Sequence, residues 1–449
     1  MKKTAQTVQA QWSSKWAFIF AATGAAVGLG NIWRFPYLMG SNGGSAFLVL
    51  YIIFLCILGL PILMSEILIG RHARQNSIDA MSSLAVAHRH SPSWKWVSIW
   101  GALALIIVLS FYSVVSGWSI AYLWHSISVG FQHTTQTQAT HTWQKLISNP
   151  WQLLLWHTIF MSLTIGVIIL GVEKGLERAT KFMMPALYLI LFILVAVAAH
   201  VGHFSKAWHY LFQFDTHAIT VKTAVSALGQ AFFTLAIGAG AMLTYGAYAP
   251  QKTSIPFTVS VVAVFDVLVA LLSGLAIFPL VFAFHLPISS GPNLMFVTLP
   301  LAFSHVALGN VIAMLFFLLL LFAAWTSSIN LAEPLVLVLM QKMGLSRSKA
   351  AKIIGFIAWT IGIANILSFN VWKHIHIFHQ SIFDFNANMA TNIILPLGGL
   401  GYAIFAGWIL PKKITQSEIQ SKIYPIWRFL IRYIAPAAII IIFIDGILS

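Results

Sequence analysis

Apolar residues fall in long runs along this chain, separated by short polar segments. Eleven runs stand out, at about 16–39, 44–70, 97–125, 152–170, 178–200, 221–248, 256–284, 307–333, 350–368, 388–410 and 425–446. A helix needs roughly 20 apolar residues to cross a ~30 Å hydrocarbon core. The pattern therefore predicts an all-α polytopic membrane protein with eleven transmembrane helices. No polar segment is long enough to form a separate soluble domain. The first run is too long for a secretory leader and has no clean small-residue cleavage site after it.

Two runs carry their own breakers. Residues 24–37 read GAAVGLGNIWRFPY, and 226–248 read SALGQAFFTLAIGAGAMLTYGAY. Irregular backbone survives at membrane depth only where it is buried in protein or lines a cavity. Glycine lowers the cost of leaving helical geometry. A lone GxxxG would be read as a close-packing stripe. Here Asn31, Arg34 and Pro36 follow at once, which favours a break. The second broken run is the sixth, the first of a second block of five. Broken helices in matching positions of two halves point to inverted repeats around a midplane binding site. The expected layout is one transporter domain over 1–449: repeat one at about 16–200, repeat two at about 221–410, and an extra helix at 425–446.

Charged residues are only 8% of the chain, against about 25% in soluble domains. The formal charge of +15 raises a nucleic-acid reading, and its distribution removes it. Of the 25 Lys and Arg, Arg34 lies inside the first run. Lys145, Lys206, Lys222 and Lys373 fall in loops on one side, and the other 20 fall on the side of the N-terminus. Such an excess marks the cytoplasmic face. The N-terminus is therefore expected inside and the C-terminus outside, in a bacterial inner membrane. The one cysteine, Cys56, excludes an intrachain disulfide.

GAAVGLGNIWRFPY with SNGG at 41–44, GQAFFTLAIGAG at 229–240, GPNLMFVTLP at 291–300, WTSSINLAEP at 325–334 and TNIILPLGGL at 391–400 occur in this order. Together they resemble the neurotransmitter:sodium symporters in their bacterial branch, over nearly the whole chain. These LeuT-type proteins are the type case of broken-helix inverted repeats, with spans one and six interrupted. The resemblance implies a sodium-coupled amino-acid symporter with no catalytic chemistry.

The resemblance also assigns residues. One sodium ion would meet the carbonyls of Gly24, Val27 and Ala323 and the hydroxyls of Thr326 and Ser327. A second would meet the Ala26 carbonyl, Asn31, Thr234 and Asp266, a position where relatives usually carry Asn. Chloride-dependent relatives have a Ser where this chain has Ala270, so no chloride requirement is expected. The substrate carboxylate would meet Leu29, Gly30 and Tyr112. Span-six carbonyls at Phe233 and Thr234, with Ser327 or Ser328, would take the ammonium. Val108, Phe233, Ala236, Ala239, Ser328 and Leu331 would line the side-chain subsite. That lining is uncharged, and its two alanines leave room for a large hydrophobic or aromatic side chain. Glu66 is expected as a structural acid accepting hydrogen bonds from unwound backbone. Phe233 would act as a lid and Arg34 as an outer gate. The usual aspartate partner of that arginine falls at Ala387, and Asp384 lies one turn earlier as a displaced partner. Relatives close the inner side with a charge pair where this chain has Gln9 and Gln341, which points to a neutral hydrogen-bonded substitute. Segment 285–306 is read as an outer lid hairpin.

Histidines are concentrated in the outside loops, among them His133, His141, His203, His217, His285, His305, His374, His376 and His379. They read as polar loop residues whose charge rises in acid. A metal site at 374–379 and a membrane enzyme are the weaker alternatives, since no nucleophile–base motif accompanies them. The altered gates keep one rival within the same fold: an amino-acid sensor that binds without transporting.

Overall fold

The structure is a computed structural model, and it describes residues 10–213, 218–286, 291–420 and 422–448. Gln9, His217 and residues 287–290 of the proposed lid hairpin lie outside the described residues. Among those described, nine helices are long and apolar enough to cross a membrane. A tenth span is the bent pair Lys15–Ala26 and Gly30–Ser41, whose halves meet at 51°. The remaining predicted run, 221–248, is two shorter helices, Val221–Thr234 and Ala241–Ala247. Neither half is long enough to cross alone, so a count by length gives ten spans rather than eleven. Span eight runs over Gly309–Met343, ten residues past its expected end, because PLVLVLMQKM continues the helix through Pro334.

The two breaks have different local causes. In span one, Val27 leaves helical geometry (φ −75°, ψ 111°) after Ala26. The chain resumes as a π-helical turn over Gly30–Arg34, and Pro36 opens the following helix. In span six, Ala236, Gly238 and Gly240 take positive φ values of 48°, 92° and 73°. Left-handed backbone is nearly free for glycine and costly for residues with a Cβ. Gly238 is also required by space, since a Cβ there would sit 1.9 Å from the Leu395 carbonyl oxygen. Its N–H donates to the fully buried Glu66 Oε1 at 2.8 Å. A carboxylate of span two (Ser45–Ala73) thus satisfies backbone that the break leaves without an intrahelical partner.

Span eight packs against span three (Pro92–Ser128) and span five (Val172–Val201), and both broken spans lie beside it. One two-stranded hairpin, His376–Ile377 with Gln380–Ser381, joins span nine (Arg347–Leu367) to span ten (Ile382–Ile409). His376 is exposed on it. Among the described residues, no group of three or more His, Cys, Asp or Glu is placed to hold a metal ion.

The short helix Lys412–Glu418 folds back onto the end of span two. Glu418 Oε2 accepts from Arg71 Nε at 2.6 Å, and Oε1 lies 3.1 Å from His72 Nδ1. Burial pushes the Glu418 carboxyl up, but His72 and Arg71 outweigh it and hold the group below the usual range. A depressed folded-state pKa contributes stability above the unfolded value of about 4.3, lost as pH falls through the folded value. Glu418→Gln is expected to cost about 1.5–3 kcal/mol at pH 7, the worth of hydrogen bonds to a charged group. The difference in melting temperature from wild type should vanish in acid, once the native carboxyl is protonated. A constant difference through the acid transition would contradict the pairing.

Candidate substrate and sodium site

The two breaks face one another at mid-bundle. Asn31, just past the first break, accepts the Gly28 N–H at its Oδ1 (3.1 Å) and donates from Nδ2 to Thr234 Oγ1 (3.0 Å) and Asp266 Oδ1 (2.8 Å). Thr234, the last helical residue before the second break, donates to the same Asp266 oxygen at 2.8 Å. Tyr51 closes the set, donating to Asp266 Oδ2 at 2.6 Å. Asn31, Asp266 and Tyr51 are fully buried and Thr234 nearly so. An ionisable group at membrane depth marks a functional candidate, and this one is oriented by three donors.

A second cluster of oxygens lies on the other side of the first break. Ser327 Oγ is 3.1 Å from the Val27 carbonyl and 3.4 Å from that of Gly24. Thr326 Oγ1 is 3.1 Å from the Ala323 carbonyl, and a Cβ on Gly24 would stand 3.2 Å from the Thr326 Cβ. Hard cations take oxygen ligands, and oxygen–oxygen edges of about 3.1–3.4 Å suit a cage with bonds of about 2.3–2.4 Å. The donor set fits sodium, with neutral oxygens at this cluster and one carboxylate at the other.

Between the clusters is a cavity of about 60 Å³. Of the residues assigned to the substrate, Ala26, Gly30, Val108, Tyr112, Phe233, Thr234, Ala236, Ala239, Ser327 and Leu331 line it. Leu29 sits above, on the wall of a wider cavity of about 300 Å³, with its N–H given to the Tyr112 hydroxyl at 3.2 Å. Phe233 lines both cavities and separates them. Leu105, Leu395 and Asn330 also line the smaller one, and none of them was expected. Asn330 donates from Nδ2 to the Thr326 carbonyl at 2.6 Å, and its buried Oδ1 has no partner among the described residues.

The Sodium:neurotransmitter symporter family model matches residues 9–149 and 142–449. This chain belongs to that family. The symporter is 35% identical to an uncharacterised sodium-dependent transporter of Bacillus subtilis, over 98% of each chain. It is 33% identical to another from Haemophilus influenzae, over 97% of this chain and 98% of that one. A crystal structure of MhsT in complex with L-phenylalanine superposes with a TM-score of 0.90 at 37% identity, covering 98% of this chain and 100% of that one. The symporter is thus a sodium-dependent, multi-pass membrane transporter of LeuT-type fold, and not an enzyme.

Two expected site residues are elsewhere in the symporter. Ser328 is absent from the cavity wall, because it lies about 100° further round the helix than Ser327. It bonds Thr164 of span four (Pro150–Ile169) at 2.9 Å and the Trp325 carbonyl at 3.0 Å. Asp384 makes no ion pair with Arg34. It sits in the first turn of its own helix, which Ser381 caps: the Asp384 N–H donates to Ser381 Oγ (3.1 Å), and that hydroxyl donates to Asp384 Oδ2 (2.7 Å). Arg34 instead donates to Gln230 Oε1 at 3.2 Å and lies 4.7 Å above the Phe233 ring. The Gln230 amide completes this link, since its Nε2 donates to the Gly30 carbonyl at 3.2 Å. Gln230 thereby ties both broken spans and the arginine together.

At the opposite end, Trp12 is buried and donates through its backbone N–H to the Tyr248 carbonyl (3.1 Å) and through Nε1 to that of Tyr245 (3.3 Å). Ser13 bonds Glu177 through both its N–H and its hydroxyl. Glu333 accepts from Tyr248 at 2.6 Å and from two nitrogens of Arg347. Gln341 accepts both nitrogens of Asn76, at 2.8 and 2.9 Å.

Proposed function

We propose that this symporter imports a large hydrophobic or aromatic amino acid together with two sodium ions, without chloride. The carrying observation is the small cavity between two oxygen clusters, walled by Val108, Ala236, Ala239, Leu331, Leu105 and Leu395 with no charged side chain. The substrate carboxylate would sit by the first break, where Tyr112, the Leu29–Gly30 backbone and the sodium ion at Asn31 are close together. Helix N-termini favour such anions. The ammonium would lie against the carbonyls of Phe233 and Thr234 and the Ser327 hydroxyl. MhsT, solved with L-phenylalanine, supports the apolar class of side chain.

In this reading the N-terminus faces the cytoplasm and Arg34 faces outside. Repeats at about 16–200 and 221–410 carry the broken spans, and the span-one and span-six pair rocks against the rest after Phe233 closes. Two charges moving down 100 mV release about 4–5 kcal/mol, before the sodium gradient is counted. Asp266 supplies a fixed negative charge and Ala270 offers no hydroxyl. Replacing chloride by gluconate is therefore expected to leave uptake unchanged, and a fall of tenfold or more in chloride-free buffer would contradict it.

The direct test is melting temperature of the purified protein with each of the twenty amino acids, in sodium and in potassium. A sodium-only shift for large apolar amino acids is expected. A shift only for charged or small polar ones would overturn the substrate class. Tyr112→Phe should weaken the stabilising amino acid about tenfold by removing one hydrogen bond to a charged group, while its response to sodium alone stays. Unchanged affinity would remove Tyr112 from the carboxylate site.

A further inference from the structure

A cleft of about 560 Å³ opens between the short helix Lys412–Glu418 and the last span, Tyr424–Ile441, lined by Lys412, Arg428, Arg432, Tyr424, Tyr433 and Phe429 among others. It lies at the end of the bundle where Glu418 meets Arg71, the same end as Trp12. No carboxylate lines it. Glu418, close in sequence, is committed to Arg71 and His72. Three cations therefore share one concavity, and Arg428 and Arg432 are four apart on one helix, where like charges repel.

Both arginines are held in place rather than free. Arg432 Nε donates to the Gly407 carbonyl at 2.6 Å, and its guanidinium lies 4.6 Å from the centre of the Trp408 ring. Arg428 Nη1 donates to the Tyr424 hydroxyl at 2.8 Å and Thr415 Oγ1 at 3.2 Å. Each guanidinium has five donors, so each keeps unspent N–H groups. Around them the surface is that of a membrane boundary. Trp408, Tyr433, Phe429 and Ile426 are at least half exposed, and aromatic residues at this level are typical of the headgroup zone. Apolar tails have a face to lie on, and a phosphate has a pre-oriented fork to enter.

We propose that this cleft binds a phosphate-bearing anion, as the headgroup of an anionic phospholipid. Basic pockets between membrane helices recognise such headgroups by the same chemistry. Free inorganic phosphate offers the same group and is the alternative source.

The test uses the full chain, delipidated in neutral detergent. Phosphatidylglycerol, phosphatidylcholine or inorganic phosphate is then added, and lipid retention by native mass spectrometry and melting temperature are both read. Wild type should hold phosphatidylglycerol about tenfold more tightly than phosphatidylcholine (about 1.4 kcal/mol). The double variant Arg428→Gln/Arg432→Gln should lose that preference while keeping its stabilisation by sodium and amino acid at the central site. If the double variant does not fold, Lys412→Gln, on an exposed side chain, should show a smaller loss in the same direction. A stabilisation reproduced by inorganic phosphate and lost in the variant assigns the cleft to a free anion. Equal retention of the two lipids, or a preference for phosphatidylglycerol that survives the substitutions, overturns the proposal.

Discussion

Asp266→Ala is expected to abolish uptake at the sodium concentrations that saturate wild type. Its two oxygens accept from Asn31, Thr234 and Tyr51, all within 2.8 Å and all buried. Truncation leaves three donors without their acceptor, at about 1–3 kcal/mol each when unsatisfied. It also removes the one negative charge of the cluster that would hold a cation. Breaking a buried charged set costs about 3–5 kcal/mol, so sodium half-saturation should rise by at least about 100-fold. Asp266→Asn separates charge from shape. It keeps an oxygen and the volume but not the charge, and a rise of about tenfold is expected. Sodium titration of uptake in proteoliposomes measures both. Unchanged sodium affinity in Asp266→Ala would place the ion elsewhere.

Gly238→Ala is expected to be strongly destabilising for a single added methyl. Its φ of 92° is left-handed, and the added Cβ would lie 1.9 Å from the Leu395 carbonyl oxygen. That contact is backbone, so no side chain can swing aside. Overpacking of this kind costs about 1–3 kcal/mol, occasionally more, and the left-handed backbone adds about 1 kcal/mol. The break in span six and its bond to Glu66 should be displaced together. Melting temperature should fall by several degrees, and the sodium-dependent shift should shrink with it. Gly229→Ala, where a Cβ meets nothing within 4 Å, is the matched control and should change neither. A Gly238→Ala protein with wild-type melting temperature would contradict the packing.

Much of the site is legible in the sequence because breakers at membrane depth are rare. Gly24, Gly28 and Gly30 followed by Asn31, Arg34 and Pro36 mark the first break, and Gly238 with Gly240 marks the second. Asp266 stands out as an acid inside an apolar run. What escapes the sequence is mostly direction. Ser327 and Ser328 are adjacent hydroxyls, and only packing tells which one faces span one and which one turns to Thr164. Ser381 and Asp384 together read as a helix start, since S-x-x-D places the cap at Ser381 and the acid in the first turn. The resemblance, which puts the gate aspartate one turn away at Ala387, points Asp384 toward Arg34 instead. Gln230 as the partner of Arg34 depends on the angle between two broken spans, which no local pattern encodes. Asn330 stands among apolar residues on a long helix, which hides it in the sequence, and its Oδ1 has no partner among the described residues in the wall of the cavity. The Glu333–Arg347 pair links span eight to the first residue of span nine, across a connection that the extension of span eight shortens to residues 344–346.

The most direct test of coupled transport is uptake of labelled phenylalanine into proteoliposomes under an inward sodium gradient, against the same vesicles with potassium replacing sodium. Accumulation above the external concentration is expected in sodium, with an abolished response in Asp266→Ala. Binding of the amino acid without accumulation, or equal uptake in potassium, would contradict sodium-coupled symport by these residues.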